Sequence, residues 1–206
     1  MRVIDERRLG LRVVSHCNAT ESIRRSVAAG TDSIEHCNWL GVDEGTIDYD
    51  PAIAEEILRR GVFLGLNVEA TIRSYSAPGD GPVTWTIPNP PANRWELHAD
   101  IRARGGRMLF TSDEFGPALG TFPSLLAQAA IELQLDAAEV VHRATAVPAA
   151  AIGLDDQIGR IAPGLRADLA LFDGDLEADP AVLRTAPTVW RAGELAARGG
   201  AVMVRR

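Results

Sequence analysis

Two short apolar runs, each ending in a histidine and joined by one amphipathic helix, constrain this chain more than any other feature. LRVVSHC (11–17) leads into NATESIRRSVAAG (18–30), and TDSIEHC (31–37) closes the unit. Runs this short and apolar read as buried strands. Ile23, Val27 and Ala28 give the intervening segment a helical stripe that stops at Gly30. A strand–helix–strand unit predicts parallel pairing. His16 and His36 then stand at the C-terminal ends of their strands, where parallel α/β barrels build their sites. A further run, RMLFTSD (107–113), ends in Asp113. Two imidazoles and a carboxylate at three strand ends form a donor set suited to a divalent metal.

The rest of the chain continues the alternation. Strands are expected at Leu11–His16, Ser33–His36, Val62–Val68 and Arg107–Asp113. Asn18 or Thr20 is suited to cap the first helix. A second helix starts at Pro51 and runs through Ala52–Arg60, and a third spans Asn93–Arg104 before Gly105 and Gly106. Residues 1–10 read as the end of a helix stopped by Gly10, and 38–50 as a loop. The stretch 69–92 is long and rich in proline and glycine, as functional or mobile loops are. Placed after a strand end, it brings Asn67, Glu69, Arg73, Tyr75 and Trp85 forward as residues lining a site mouth. The plainer reading of each is loop packing or solvation. Helices follow at Thr121–Gln134 and Asp136–Leu154. The texture then changes to short β runs, Ile158–Gly164, Ala167–Asp173 and Thr188–Gly193, which places a domain boundary near residue 156. Alternating strands and helices argue a parallel sheet with helical cover.

Composition excludes several classes. The chain has 206 residues, 46% of them apolar, enough for a real core. No apolar run reaches the roughly 18 residues of a membrane span. The opening MRVIDERRLG is charged and lacks a signal-peptide apolar region, so a cytoplasmic location is expected. The net charge of −7 is interspersed, which argues against nucleic-acid binding. All 21 basic residues are arginine. The only cysteines, Cys17 and Cys37, each follow a key histidine. Strand alternation sends them to the opposite face, as buried thiols rather than a disulfide or ligands. The same alternation points Glu35 away from the site as a structural residue. His98 and His142 fall in helical stretches and read as surface or satisfied histidines, whereas Glu114, next to Asp113, is placed to serve the mouth.

The segments VVSH, AAGTDSIEH and LFTSD resemble, in this order, the metal-dependent amidohydrolase family. HRATAVPAAAIGL, IGRIAPGLRADLALFD and TVWRAGE resemble that family's closing helix and composite β-sandwich. The likeness runs from about residue 10 to 195 and is nearest to the branch holding imidazolonepropionases and prolidase-like enzymes. It implies the C-terminal half of a (β/α)8 TIM-type barrel, strands five to eight, over residues 1–156. Residues 157–206 would then be the C-terminal part of the composite β-sandwich. By the same resemblance His16 and His36 are ligands of a divalent metal, usually zinc. Asp113 is a ligand and the proton acceptor. The implied activity is metal-dependent hydrolysis of non-peptide C–N bonds in small amides or cyclic amides. The family's first-strand His-x-His pair and its fourth-strand lysine have no counterpart here, because the chain contains neither motif nor lysine. A weakly held metal is therefore expected. The alternative is a non-catalytic truncated fragment, or a half-barrel subunit completed by a second copy or a companion chain.

Overall fold

The computed structural model describes residues 9–43, 46–67, 98–113, 122–185 and 187–203, apart from the side chains of Asn67 and Glu132. The chain divides into two compact units, Met1–Thr111 and Ser112–Arg206.

The first unit holds β1 (Val14–Ala19), α1 (Thr20–Ala29), β2 (Ser33–Leu40), α2 (Pro51–Arg60), β3 (Phe63–Asn67), α3 (Ala99–Ala103) and β4 (Met108–Thr111). The four strands form one sheet in the order β1-β2-β3-β4, and every pairing is parallel. Register defines its two faces. Ser15, Ile34, Leu64 and Met108 lie in one cross-strand row. Ile34, Leu64 and Met108 are fully buried, as are Ile23 of α1 and Ile57 of α2. Burying each such side chain contributes about 1.5–3 kcal/mol. The next row, on the opposite face, is His16, Glu35, Gly65 and Leu109.

Helix ends in this unit follow local chemistry. Gly30 and Gly61 close α1 and α2 in the left-handed region, at φ of 86° and 64°, where a side chain is disfavoured. Asp50 caps α2, with its Oδ1 accepting from the N–H groups of Ala52 at 2.8 Å and Ile53 at 3.3 Å. α1 differs from expectation. Its N-cap is Ala19, with no side-chain cap. Thr20 instead donates to the carbonyl of Asp48 at 2.6 Å, and Asn18 is engaged with side chains.

The second unit holds α4 (Phe122–Glu132), α5 (Ala137–Ala144), α6 (Ala146–Ala151), a 3-10 turn at Pro180–Arg184 and strands β5 (Leu169–Leu171), β6 (Thr188–Arg191), β7 (Glu194–Arg198) and β8 (Ala201–Val202). The strands form an antiparallel sheet in sequence order. Three expectations are corrected here. The single helix over Asp136–Leu154 is two, broken at Thr145 (φ −132°, ψ −72°). Pro148 has no N–H for the carbonyl of Ala144, and its ring would collide with it. Ile158–Gly164 forms turns, not a strand. Gly159 and Gly164 take φ of 94° and 87°, and Leu165 N–H bonds back to Ala162 O at 3.2 Å. Lastly, β7 and β8 are strands beyond those expected. They follow two-residue turns in which both residues are left-handed, Ala192–Gly193 and Gly199–Gly200. Positive φ at both positions matches the twist of tight hairpins.

No described helix is long and apolar enough to cross a membrane. The expected features at residues 1–8, 69–92 and 93–97 lie outside the described residues.

Burial works against the charged form of Asp50. The N–H groups of Ile53 and Ala52 and the Arg24 guanidinium outweigh it and hold the carboxyl below its ordinary range. Asp50→Ala should lower the unfolding free energy by about 1 kcal/mol at neutral pH. Because the folded-state pKa lies below the unfolded one, this contribution is present above the ordinary aspartate pKa and disappears as pH falls through the folded value. Urea titrations at neutral and acid pH should therefore show a gap between wild type and variant that closes in acid.

Candidate metal and active site

His16 and His36 meet across β1 and β2. Their rings pack edge-to-face with centroids 4.3 Å apart, and His36 Nε2 lies 2.9 Å from His16 Nδ1. Neither stands at the last residue of its strand as expected, since β1 continues to Ala19 and β2 to Leu40. The regular ladder nevertheless stops there. Cys17 pairs with His36, the register then shifts, and β2 pairs with β3 only through Glu35.

The reason is local backbone. His36, Cys37 and Trp39 all have positive φ, at 69°, 51° and 54°. Side chains seldom tolerate this, at a cost of about 1–3 kcal/mol per residue. The turn is held from outside the sheet. Trp39 is fully buried and packs against Tyr49 with the rings tilted by 58° and centroids 4.8 Å apart, and its carbonyl accepts from Asp48 N–H at 2.8 Å. Tyr49 itself donates to Asp100 Oδ2 at 3.0 Å. Burial, with Asp100 beside it, pushes the phenol up to about 12, so it remains a neutral donor.

The left-handed turn also corrects the reading of Glu35. Simple alternation would place Glu35 and His36 on opposite faces. Here Glu35 shares the face of its register partner His16, and it leans over Gly65 of β3 so closely that a Cβ at that position would collide with its carboxylate. The cysteines are buried thiols, as expected. Both are free; Cys17 Sγ sits 3.1 Å from Ser26 Oγ of α1. Full burial pushes the Cys37 thiol up, so it stays protonated.

A chain of amides stands behind the histidines. Asn38 Nδ2 donates to Asn18 Oδ1 at 2.5 Å, and Asn18 Nδ2 approaches His16 Nε2 at 3.0 Å. An amide NH2 only donates, so His16 Nε2 is an acceptor here. The neutral ring then carries its proton on Nδ1 and gives it to His36 Nε2. Asn38 is buried, and its Oδ1 has no hydrogen-bond partner among the described residues. Sequence reasoning offered Asn18 only as a helix cap and passed over Asn38. The available signal was the tripeptide His-Cys-Asn, which occurs at 16–18 and again at 36–38.

Asp113 follows β4 by two residues, is exposed and has φ 53°, and it falls in the second unit. Asn67 ends β3 with its backbone paired to Thr111. Glu69, Arg73, Tyr75, Trp85 and Glu114 lie outside the described residues. As donors, two neutral imidazoles suit a divalent metal. Among the described residues, however, no three His, Cys, Asp or Glu side chains converge on one point. Both Nε2 lone pairs are also occupied, one by Asn18 and one by His16. The described residues therefore supply part of a metal-binding set and not a whole one.

Comparison with known proteins places this geometry. The model of the amidohydrolase family matches residues 2–195, and the chain belongs to that family. Its sheet and helices are accordingly of TIM-barrel type. Solved structures similar to it include a prolidase complexed with N-methylphosphonate-L-proline, at 25% identity and TM-score 0.70, with 95% of this chain and 47% of that one covered. A putative prolidase from Bifidobacterium longum matches at 22% identity and TM-score 0.73, covering 98% and 51%. An A. niger ochratoxinase matches at 20% identity and TM-score 0.74, covering 96% and 45%. This chain thus spans about half the length of the structures it matches. Comparison with curated proteins finds no match.

The amide chain makes a spectroscopic prediction. Long-range 1H–15N spectra of the metal-free protein should show His16 as the Nδ1–H tautomer. Asn18→Ala should remove that preference while leaving the fold intact. A His16 ring already in the Nε2–H form in wild type would contradict the assignment.

Proposed function

We propose that this chain carries part of the metal centre of a hydrolase that cleaves C–N bonds in small amides or cyclic amides. The observation that supports this most is the His16–His36 contact across adjacent parallel strands, in a member of a family that is generally metal-dependent. In this reading the parallel sheet is strands five to eight of the barrel, within a domain spanning 1–156. The antiparallel sheet belongs to the composite β-sandwich over 157–206.

His16 and His36 would hold the ion, here zinc, once Asn18 and the inter-ring hydrogen bond release their Nε2 atoms. Asp113 would complete their contribution. A divalent ion, when bound, supplies Lewis acidity toward the scissile carbonyl and the attacking water. Asp113 then accepts the proton of that water and passes it to the departing amine. Asn67, Glu69 and Arg73, at and just after the end of β3, would hold the polar groups of a small-molecule substrate.

Two observations favour a second reading, in which the chain is a non-catalytic fragment or a subunit awaiting its complement. It spans about half of each structure it matches, and its described residues offer an incomplete donor set.

Metal analysis and kinetics separate the two. Dialysed protein should retain less than one equivalent of zinc, and His16→Ala and His36→Ala should each lower that further. A full, chelator-resistant equivalent would contradict the incomplete-centre reading. Where hydrolysis of an amide or lactam is detected, Asp113→Asn should abolish most of it, because asparagine keeps the shape and cannot take the proton. Undiminished turnover in that variant would remove Asp113 from the mechanism.

A further inference from the structure

The parallel sheet has a second concave feature at the end opposite the histidines. A cleft of about 380 Å3 opens at the N-terminal ends of the strands. Its walls come from the residues just before β1 and β2, from the start of β3 and from the residue before β4. Four arginines line it, Arg12, Arg59, Arg60 and Arg107, against one lining carboxylate, Asp32.

The known demands on these arginines do not use up their charge. Arg12 pairs with Asp32 at 3.1 Å through one terminal nitrogen. Glu56 serves both Arg59 and Arg60, so one carboxylate answers two guanidiniums. Arg107 has no carboxylate partner among the described residues. Its guanidinium lies over the Phe63 ring, 5.1 Å from the centroid, and its carbon is 3.6 Å from where a Cβ on Gly61 would stand.

Neutralising helix dipoles does not account for the cluster either. α1 and α2 both end at this cleft, but two of the last four carbonyls of each are already occupied. Ser26 and Val27 accept from Thr31 and Gly30, and Ile57 and Leu58 accept from Val62 and Gly61, all within 3.0–3.2 Å. A bare concentration of guanidiniums in a concave site is unfavourable unless an anion offsets their repulsion.

We propose that this cleft is a binding site for a small, multiply charged anion of the phosphate type, such as a phosphate ester or pyrophosphate. Guanidinium forks match phosphate oxygens in pairs. The volume falls at the lower end of small-molecule sites. Arg107 and Arg12 reach in from the strand ends, and Arg60 reaches in from the end of α2. The site is separate from the histidine pair and does not depend on the hydrolase reading.

Inorganic pyrophosphate is the probe, with isothermal titration calorimetry of the full chain in low-salt buffer. Saturable binding is expected, weakening as salt is added. Arg107→Gln should lower the affinity by about tenfold, and Arg12→Gln/Arg107→Gln should abolish binding. Arg60→Gln sits on an exposed helix end, so it tests the site without touching the strands; it should weaken binding as well. Arg198→Gln, exposed on β7, should leave it unchanged. Absence of saturable binding by wild type would overturn the proposal. So would affinity that survives in Arg60→Gln and in the Arg12/Arg107 double variant.

Discussion

The register of β1 on β2 is the constraint on which the site depends. His16 pairs with Glu35, not with His36. In a regular parallel ladder the two imidazoles would therefore fall on opposite faces. They meet because the backbone turns left-handed at His36 and Cys37. That turn is unfavourable by itself and is held by the burial of Trp39, its tilted contact with Tyr49, and the hydrogen bonds that Asp48 makes to Trp39 and Thr20. The packing of a loop some ten residues downstream thus decides whether two nitrogen donors share a site. The strain sits next to the chemistry, where such outliers concentrate.

Much of this was legible in the sequence because it rests on local rules. The four strands, the order of the helices and the C-terminal closure of α1 and α2 follow from apolar runs, Pro51, Gly30 and Gly61. The histidines were found because their runs end in them. What sequence could not supply was the conformation at a single residue. Alternation is a rule for regular strands, and it failed at His36 because that residue is not in one. Glu35 was misplaced for the same reason. The Asn18–Asn38 amide pair depends on register across two strands, a long-range quantity. In the second unit the Gly199–Gly200 turn was a readable hairpin signal. The broken helix was readable too, from Pro148.

The two faces of the parallel sheet have unequal fates. One is sealed by α1 and α2 over Ile34, Leu64 and Met108. The other bears His16 and Glu35, with Val14 and His16 exposed on β1 but Ser33, Phe63 and Leu109 buried on β2, β3 and β4. Among the described residues, no strand pairs with the outer edge of β1 or of β4. Parallel sheets are normally covered on both faces, and open edges offer unpaired N–H and C=O groups to any strand that fits. On the proposed reading, further parallel strands bringing their own strand-end residues would both complete the donor set and pair the edges left open among the described residues.

Light scattering behind size exclusion, at micromolar protein, tests this most directly. The account predicts a particle heavier than the 22.1 kDa chain, either a self-association or a complex once a chain bearing the complementary strands is added. A stable monomer of 22.1 kDa that unfolds cooperatively, and that takes up no such partner, would contradict it.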